Sequence, residues 1–212
     1  MFTGIITAIG TIAAHDQRGD LRLRINAPLD PARIDIGASI ACSGVCLTVV
    51  ERGMRPAHAD GEGDAWFDVD VSAETVSRTR PGMWAAGQRI NIEPSLRVGD
   101  ELGGHIVTGH VDTIGEVVLA EQVGDSWRVA IRARAEIAAY IAEKGSITVD
   151  GVSLTVNDVR DRPDKTCDFL VNIIPHTGAV TTLGDLKVGS RVNLEIDVLA
   201  RYLKRMQGLG VV

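Results

Sequence analysis

Residues 38–49 read ASIACSGVCLTV, and residues 145–156 read GSITVDGVSLTV. The two stretches agree at seven of twelve positions, which indicates an internal duplication. Both contain a Gly-Val-(Cys/Ser)-Leu-Thr segment, in which a glycine that marks a tight turn leads into an apolar run typical of a strand. This repeat predicts two similar β-rich units.

The similarity extends to the rest of the chain. TGIITAIG (3–10) aligns with TGHVDTIG (108–115), FDVDVSAETVSRT (67–79) with FLVNIIPHTGAVT (169–181), and GQRINIE (87–93) with GSRVNLE (189–195). Apolar and polar residues alternate in RINIE and FDVDV, as in strands with one buried face. Several short strands in about 100 residues predict a small closed barrel in each half.

Helices are predicted at only a few places. AEIAAYIAEKG (135–145) has the pattern of a short helix with a glycine stop, and APLDPARIDIG (27–37) is its weaker counterpart. DVLARYLKRMQG (197–208) begins with an aspartate cap. Its residues Val198, Leu199, Tyr202, Leu203 and Met206 fall on one face. Neither copy has a counterpart of this last helix, which makes it a candidate for subunit contact.

Composition excludes several classes of protein. The net charge of −6 comes without a basic stripe, which argues against nucleic-acid or anionic-membrane partners. No apolar stretch is long enough to span a bilayer, and the N-terminus lacks the features of a secretory signal. Cys42 and Cys46 should lie about 13 Å apart along a strand, too far for a disulfide. Reduced thiols and a cytoplasmic location are therefore expected. The motifs of metal sites and of nucleotide-binding loops are absent from the sequence.

The shared strands carry the best candidates for function. Cys46 and Thr48, like Ser153 and Thr155, alternate onto one face and could hydrogen-bond a flat polar heterocycle. Gly44, Gly151, Leu47 and Leu154 are expected mainly to build the barrels.

Two histidines and a lysine are weaker candidates. His105 follows two glycines, where the backbone could approach a ligand closely, whereas His110 aligns with Ile5 and is expected to be structural. Lys144 follows the predicted helix, where a cation is commonplace.

The chain resembles the riboflavin synthases of the α-chain type over essentially its whole length. The resemblance rests on MFTGI, SGVCLTV, LGGHIVTGHVD, KGSITVDGVSLTVN, NIIPHT and RVNLEIDVLARY, which occur in the family's order and spacing. It implies an all-β fold of two tandem six-stranded Greek-key β-barrels with a C-terminal α-helix. The implied boundaries are 1–100 and 101–197 for the barrels and 198–212 for the trimerisation helix and tail.

The resemblance also implies a reaction. Two molecules of 6,7-dimethyl-8-ribityllumazine undergo a dismutation by four-carbon transfer, giving riboflavin and 5-amino-6-ribitylaminouracil without a cofactor. The active site would form between the N-terminal barrel of one subunit of a homotrimer and the C-terminal barrel of the next. Lumazine synthase is a possible partner.

Site residues follow from the same resemblance. Cys46, His105 and Ser39 are the implied candidates for nucleophilic or acid–base work, and we expect Cys46 and His105 at the reacting centre. The implied substrate-binding residues are Gly4, Ile5 and Ile6; Cys46, Leu47 and Thr48; Asp70, Val71, Ser72, Ala73, Glu74 and Thr75; Gly104, His105 and Ile106; Lys144; Ser153, Leu154 and Thr155; Asn172, Ile173, Ile174, Pro175, His176 and Thr177; and Asp197.

Other functions remain as alternatives. The chief one is a non-catalytic lumazine- or flavin-binding fluorescent protein, although such relatives tend to lose the second site and this chain keeps its residues. A flavin-binding reductase barrel would need an Arg-x-Tyr-Ser signature, which is missing. An oligonucleotide-binding barrel is disfavoured by the charge and by the 4% aromatic content.

Overall fold

The first copy of the repeat folds as a closed antiparallel barrel. The computed structural model describes residues 1–55 and 65–210. The strands of this copy are β1 (Ala8–Arg18), β2 (Asp20–Ala27), β3 (Ser39–Cys42), β4 (Val45–Met54), β5 (Ala65–Val71) and β6 (Arg89–Pro94). Their order is β1-β2-β5-β4-β3-β6, and β6 pairs back onto β1. Strands β3, β4 and β5 form a meander, and β5 then lies beside β2, which comes before the meander in the chain. This arrangement is a Greek key.

The second copy has one strand more. It contains β7 (Thr113–Val123), β8 (Ser126–Ala133), β9 (Ser146–Val149), β10 (Val152–Thr155), β11 (Asp158–Asp161), β12 (Cys167–Ile173) and β13 (Arg191–Ile196). Their order is β10-β9-β13-β7-β8-β12-β11, so β10 and β11 together take the place of β4. Strand β4 absorbs an irregularity as a bulge between Val49 and Glu51. In the second copy the strand is interrupted at the matching point, where Asn157 N–H donates to the Leu170 carbonyl at 2.7 Å. The predicted all-β fold is confirmed, with a seven-stranded curled sheet instead of six strands in this copy.

The helices are short except for the last. They are α1 (Ala73–Arg78), α2 (Ala135–Ala138), α3 (Pro175–Val180) and α4 (Val198–Gln207), with 3-10 turns at Pro31–Arg33 and Thr182–Asp185. The helix predicted at 135–145 ends at Ala138 and the chain continues in turns, with Ile137 and Ile141 both buried in the core. Its weaker counterpart in copy one is only a 3-10 turn. Helices α1 and α3 were missed, since the strands before them dominate the local pattern.

The polar side of helix α4 packs against the second copy of the same chain. Arg201 Nη2 donates to Asp112 Oδ2 at 3.0 Å, and Lys204 Nζ donates to the Glu136 carbonyl at 2.8 Å. The Lys204 ammonium also lies 5.1 Å from the centre of the Tyr140 ring. Asp197 caps the helix by accepting from Leu199 N–H at 2.9 Å, as predicted. The apolar side is left in solvent: Leu199, Tyr202, Leu203 and Met206 are 70%, 67%, 52% and 38% exposed.

Each copy has its own apolar core, centred on the equivalent residues Phe67 and Phe169. A third, small cluster of Phe2, Ala41 and Val107 joins the copies. Cys42, Cys46 and Cys167 are all free thiols, as expected. Among the described residues, no helix combines the length and apolar character that crossing a membrane requires.

The copies meet through their hairpin turns, in a nearly twofold arrangement. Gly44 and Gly151 have left-handed backbones (φ +82° and +83°), and a Cβ on Gly44 would lie 2.9 Å from Gly151 N. Asn91 Nδ2 donates to the Asp150 carbonyl at 2.8 Å, and the equivalent Asn193 donates to the Ser43 carbonyl at 2.9 Å. These glycines are structural, as expected, but they serve the contact between copies rather than the barrel itself.

Candidate active site

Two irregular segments cross from one copy to the other. The Gly4 carbonyl accepts from Ser153 N–H at 2.8 Å, and the Gly109 carbonyl accepts from Cys46 N–H at 2.8 Å. A Cβ on Gly4 would lie 2.6 Å from Ser153 Cβ, and one on Gly109 would lie 2.6 Å from Cys46 Cβ. Each Gly-Val-(Cys/Ser)-Leu-Thr strand is therefore covered by a glycine segment that belongs to the other copy.

A buried glutamate anchors each crossing segment. Glu93 accepts from Thr3 N–H (2.7 Å), Thr3 Oγ1 (2.8 Å) and Gly4 N–H (3.0 Å). Glu195 makes the equivalent bonds to Thr108 and Gly109. Burial raises the pKa of Glu93, and its hydrogen bonds oppose that rise. This anchoring role was not predicted for either glutamate, although the match of RINIE with RVNLE places them at equivalent positions.

The outer face of each hairpin presents small side chains. In copy one, Ser39 pairs across the strands with Thr48, and Ala41 with Cys46. In copy two, Ser146 pairs with Thr155 and Thr148 with Ser153. The alternation predicted for this strand is present. Val45, Leu47 and Val49 are buried, whereas Cys46 and Thr48, which alternate with them, lie on the outer face.

The imidazole of His105 spans the hairpin of copy two. Its Nδ1 lies 2.7 Å from Ser153 Oγ, and its Nε2 lies 3.2 Å from Thr148 Oγ1. Burial lowers the pKa of His105, and the negative charges of Asp197 and Glu195 oppose that change. A neutral ring held by two hydroxyl groups can exchange a proton with either of them. Thr148 was not among the predicted residues, because only its cross-strand pairing with Ser153 brings it next to His105.

Copy one offers a different environment at the equivalent place. Cys46 packs against Phe2, Ala41 and Val107, and its strand partner Ala41 has no hydroxyl. Of the three predicted catalytic residues, Ser39 and Cys46 thus lie on the same face of copy one, whereas His105 contacts copy two. Within a single chain, the hydrogen-bond partners of His105 are not Cys46 but Ser153 and Thr148.

The predicted third segment of each copy lies where a strand passes into a short helix. Asp70 forms an ion pair with Arg22 (2.5 Å) at the end of β5, and Asn172 is exposed at the equivalent place in β12. Ser72 caps α1 by accepting from Thr75 N–H at 3.2 Å. Of the remaining members, Thr177 is partly buried. The others are exposed to solvent: Ala73, Glu74, Ile174, Pro175 and His176.

Other predicted residues contribute to the barrel cores. The side chains of Leu47, Val71 and Ile173 are buried there, and the ligand contact predicted at these positions stays a prediction. Leu154 and Ile6 pack against the core of copy two. Residues Ile5, Ile106, Lys144 and Thr155 are exposed, and Asp197 is half-buried at the start of α4.

The surroundings of Gly104 and Lys144 add to the picture drawn from the sequence. A Cβ at Gly104 would lie 2.1 Å from the Thr3 carbonyl oxygen, so the protein itself requires a glycine there, and the predicted ligand contact stays a prediction. Lys144 lies beyond the end of α2, in a turn with a left-handed backbone (φ +63°), where Lys144 N–H donates to the Val156 carbonyl at 2.8 Å.

Part of each candidate face is exposed to solvent in the single chain. A cavity of about 600 Å³ is lined by residues that include Thr3, Pro28, Glu93 and Arg97, and Ile5 is its one member from the predicted set. Thr48, Thr155 and Asp70 are instead exposed to solvent. The hairpin faces therefore have the form of half-sites rather than of enclosed pockets.

Comparison with known proteins agrees with this architecture. Residues 3–95 and 108–197 match the lumazine binding domain, so the fold and its two faces define a protein with two lumazine binding domains. Riboflavin synthase of Brucella abortus is 46% identical over 97% of this chain and 98% of its own length. That of Mycobacterium tuberculosis is 44% identical, with 97% and 98% covered. The chain belongs to the riboflavin synthase family.

Solved structures show the same fold. LumP complexed with riboflavin gives a TM-score of 0.71 at 24% identity and covers 92% of this chain and 99% of its own. LumP complexed with 6,7-dimethyl-8-(1'-D-ribityl) lumazine gives 0.71 at 22% identity, with the same coverage.

Proposed function

We propose that this protein is a riboflavin synthase, a transferase that converts two molecules of 6,7-dimethyl-8-ribityllumazine into riboflavin and 5-amino-6-ribitylaminouracil. The observation that carries the proposal is that two equivalent faces have unlike chemistry. His105 bridges Ser153 and Thr148 on one face, whereas Cys46 faces Ala41 on the other. Two identical substrates must act as donor and acceptor of the four-carbon unit, and two unlike faces can assign those roles.

The chemistry requires proton removal from the 7-methyl group of one lumazine and nucleophilic addition to C7 of the other. In our proposal, Ser153 and His105 form the proton-transfer pair. Because burial lowers the pKa of His105, the neutral form of its ring is favoured, and that form can accept a proton through Ser153 Oγ. Cys46 and Ser39 are the candidates for addition and acid–base work on the opposite face.

We further propose that the working site joins the copy-one face of one chain to the copy-two face of another. Each face reaches solvent at its outer end, at Thr48 in copy one and Thr155 in copy two, and this arrangement would bring Cys46 and His105 to one centre, which a single chain does not do. Holding two lumazines in the reacting orientation can contribute up to about 7–11 kcal/mol to the rate enhancement.

The proposed assembly is a homotrimer held by α4. The support is the orientation of the helix, since its polar side contacts its own barrel and its apolar side is exposed. Light scattering should give three times the chain mass of 22.6 kDa. Leu203→Glu should yield monomers that make no riboflavin, whereas Gln207→Glu, an exposed control on the same helix, should leave the trimer intact. A monomeric wild type with full activity would contradict the composite site.

The decisive experiment is incubation of the purified protein with the lumazine. We expect riboflavin and the uracil product in equal amounts, and a rate lowered by about 10²–10⁴-fold in His105→Ala and Cys46→Ala. His15→Ala, an exposed histidine on β1, is the matched control and should retain the wild-type rate. Unchanged turnover in either site variant would exclude that residue from the chemistry.

The alternative is a non-catalytic lumazine- or flavin-binding fluorescent protein. It is less well supported, because identity to the riboflavin synthases is 44–46% but identity to LumP is 22–24%. Tight fluorescent binding without riboflavin formation would establish it. A cytoplasmic location is supported by the three free thiols, and association with lumazine synthase stays a prediction of the family resemblance.

A further inference from the structure

A cavity of about 370 Å³ lies between the two copies and shares no residue with the candidate active site. Its lining pairs equivalent positions of the repeat: Arg89 with Arg191, Gln88 with Ser190, and Arg80 with Thr182. The cavity therefore straddles the axis that relates the two copies. Its residues Gln88, Arg89, Ser190 and Arg191 lie in the repeated segments GQRINIE (87–93) and GSRVNLE (189–195), whose pattern predicts strands and not a binding site.

Positive charge is concentrated here in a chain whose net charge is −6. Three guanidinium groups line the cavity together with the carboxylates of Asp150 and Asp185. Arg89 pairs with Asp185 at 2.7 Å, and Arg80 Nε lies 3.4 Å from Asp150 Oδ2. Within residues 1–55 and 65–210, Arg191 has no ion pair and no side-chain hydrogen bond.

Two buried polar atoms on the wall also lack a hydrogen-bond partner, although Arg80 Nε lies near the Asp150 carboxylate. Arg80 Nε and Thr182 Oγ1 make no hydrogen bond to the described part of the chain. A buried donor without an acceptor destabilises the fold, so native proteins rarely leave one unless a ligand or an ordered water supplies the acceptor. Both atoms lie on the same cavity as the free guanidinium of Arg191.

We propose that this cavity binds a phosphate group, either as inorganic phosphate or as a phosphate monoester. Guanidinium groups match phosphate oxygens with paired hydrogen bonds. Thr182 and Gln88 can donate further hydrogen bonds from the two copies. The volume falls within the range of small-molecule sites and exceeds that of a bare phosphate. A ligand held by groups of both copies would fix their relative position.

Calorimetric titration of the whole protein with inorganic phosphate, and separately with glycerol phosphate, tests the proposal at constant ionic strength. We expect saturable binding with a dissociation constant of about 1 mM or below, weakened about tenfold by Arg191→Gln. Thr182→Val should also weaken binding and should fold normally, since the hydroxyl it removes has no partner. Arg18→Gln removes the same charge from a distant, exposed position and should bind like the wild type.

Tighter binding of the monoester would identify the ligand as a phosphorylated metabolite, and equal binding would identify free phosphate. Absence of saturable binding to either probe would overturn the proposal, as would an equal loss in Arg18→Gln. Asp150→Asn should tighten binding by removing a repelling charge, and weaker binding in that variant would contradict the electrostatic basis. Riboflavin formation is a separate readout, so failure of the proposed catalytic function would not affect this result.

Discussion

Replacing Gly109 with alanine should destabilise the protein far more than the same replacement at Gly19. Both glycines have left-handed backbones, with φ of +77° and +93°. An alanine in that conformation costs about 1–2 kcal/mol. At Gly19 no other cost is expected, because a Cβ there would have no atom within 4 Å.

At Gly109 the new methyl group meets the backbone of Cys46. The Cβ would lie 2.6 Å from Cys46 Cβ, 2.8 Å from its nitrogen and 3.0 Å from its Cα. A strand backbone cannot move aside as a flexible side chain can, so overpacking adds about 1–3 kcal/mol. The expected losses in free energy of unfolding are therefore about 2–5 kcal/mol for Gly109→Ala and about 1–2 kcal/mol for Gly19→Ala.

Urea denaturation of both variants beside the wild type measures this difference. Gly4→Ala is an internal replicate, since its Cβ would lie 2.6 Å from Ser153 Cβ. Both crossing-segment variants should also lose riboflavin formation, because the displaced strand carries Cys46 or Ser153. Equal losses of stability at Gly109 and Gly19 would refute the crossing of the segments.

Three buried titratable groups give further expected outcomes. Glu93→Gln should cost about 1–3 kcal/mol in urea denaturation and raise KM, because an amide NH2 would face the N–H of Gly4 or Thr3; an unchanged KM would count against the role of this segment. Burial raises the pKa of Asp150 from 3.8 to about 6, so the native state binds the proton more tightly and stability falls as pH rises between those values. Asp150→Asn should abolish that fall, and a persisting fall would exclude Asp150 as its source. The lowered pKa of His105 has the opposite sign: stability should decline as pH drops below 6.5, and His105→Gln should flatten that part of the profile measured by thermal unfolding.

The sequence predicts the fold well where signals repeat. The match between 38–49 and 145–156 locates both hairpins, and the alternation in RINIE and RVNLE places Glu93 and Glu195 on equivalent strands. The break between β10 and β11 is less visible, since the flanking residues keep the strand pattern that in copy one tolerates a bulge. Ser72 is a typical N-cap residue before helix α1. The six residues of this helix are too few to show the apolar periodicity from which a helix is predicted.

The site is less predictable because it is built by long-range contacts. Ser153 and His105 were both candidates, but their 2.7 Å contact joins residues 48 positions apart. Nothing in the sequence around Thr148 indicates a role in the site. Its role follows only from the hairpin pairing that places it opposite Ser153. The same holds for the crossing segments: Gly4 was predicted to bind substrate and Gly109 was not singled out, and the close contact that each makes with a strand of the other copy had no local signal.

The crossing of these segments has a consequence for how the molecule unfolds. The two apolar cores are separate, which by itself would allow each half to melt independently. However, Gly4 covers a strand of copy two and Gly109 covers a strand of copy one. Neither half can open without uncovering the hairpin of the other. The duplicated chain should accordingly behave as a single cooperative unit, with one melting transition that near-UV dichroism and calorimetry report at the same temperature.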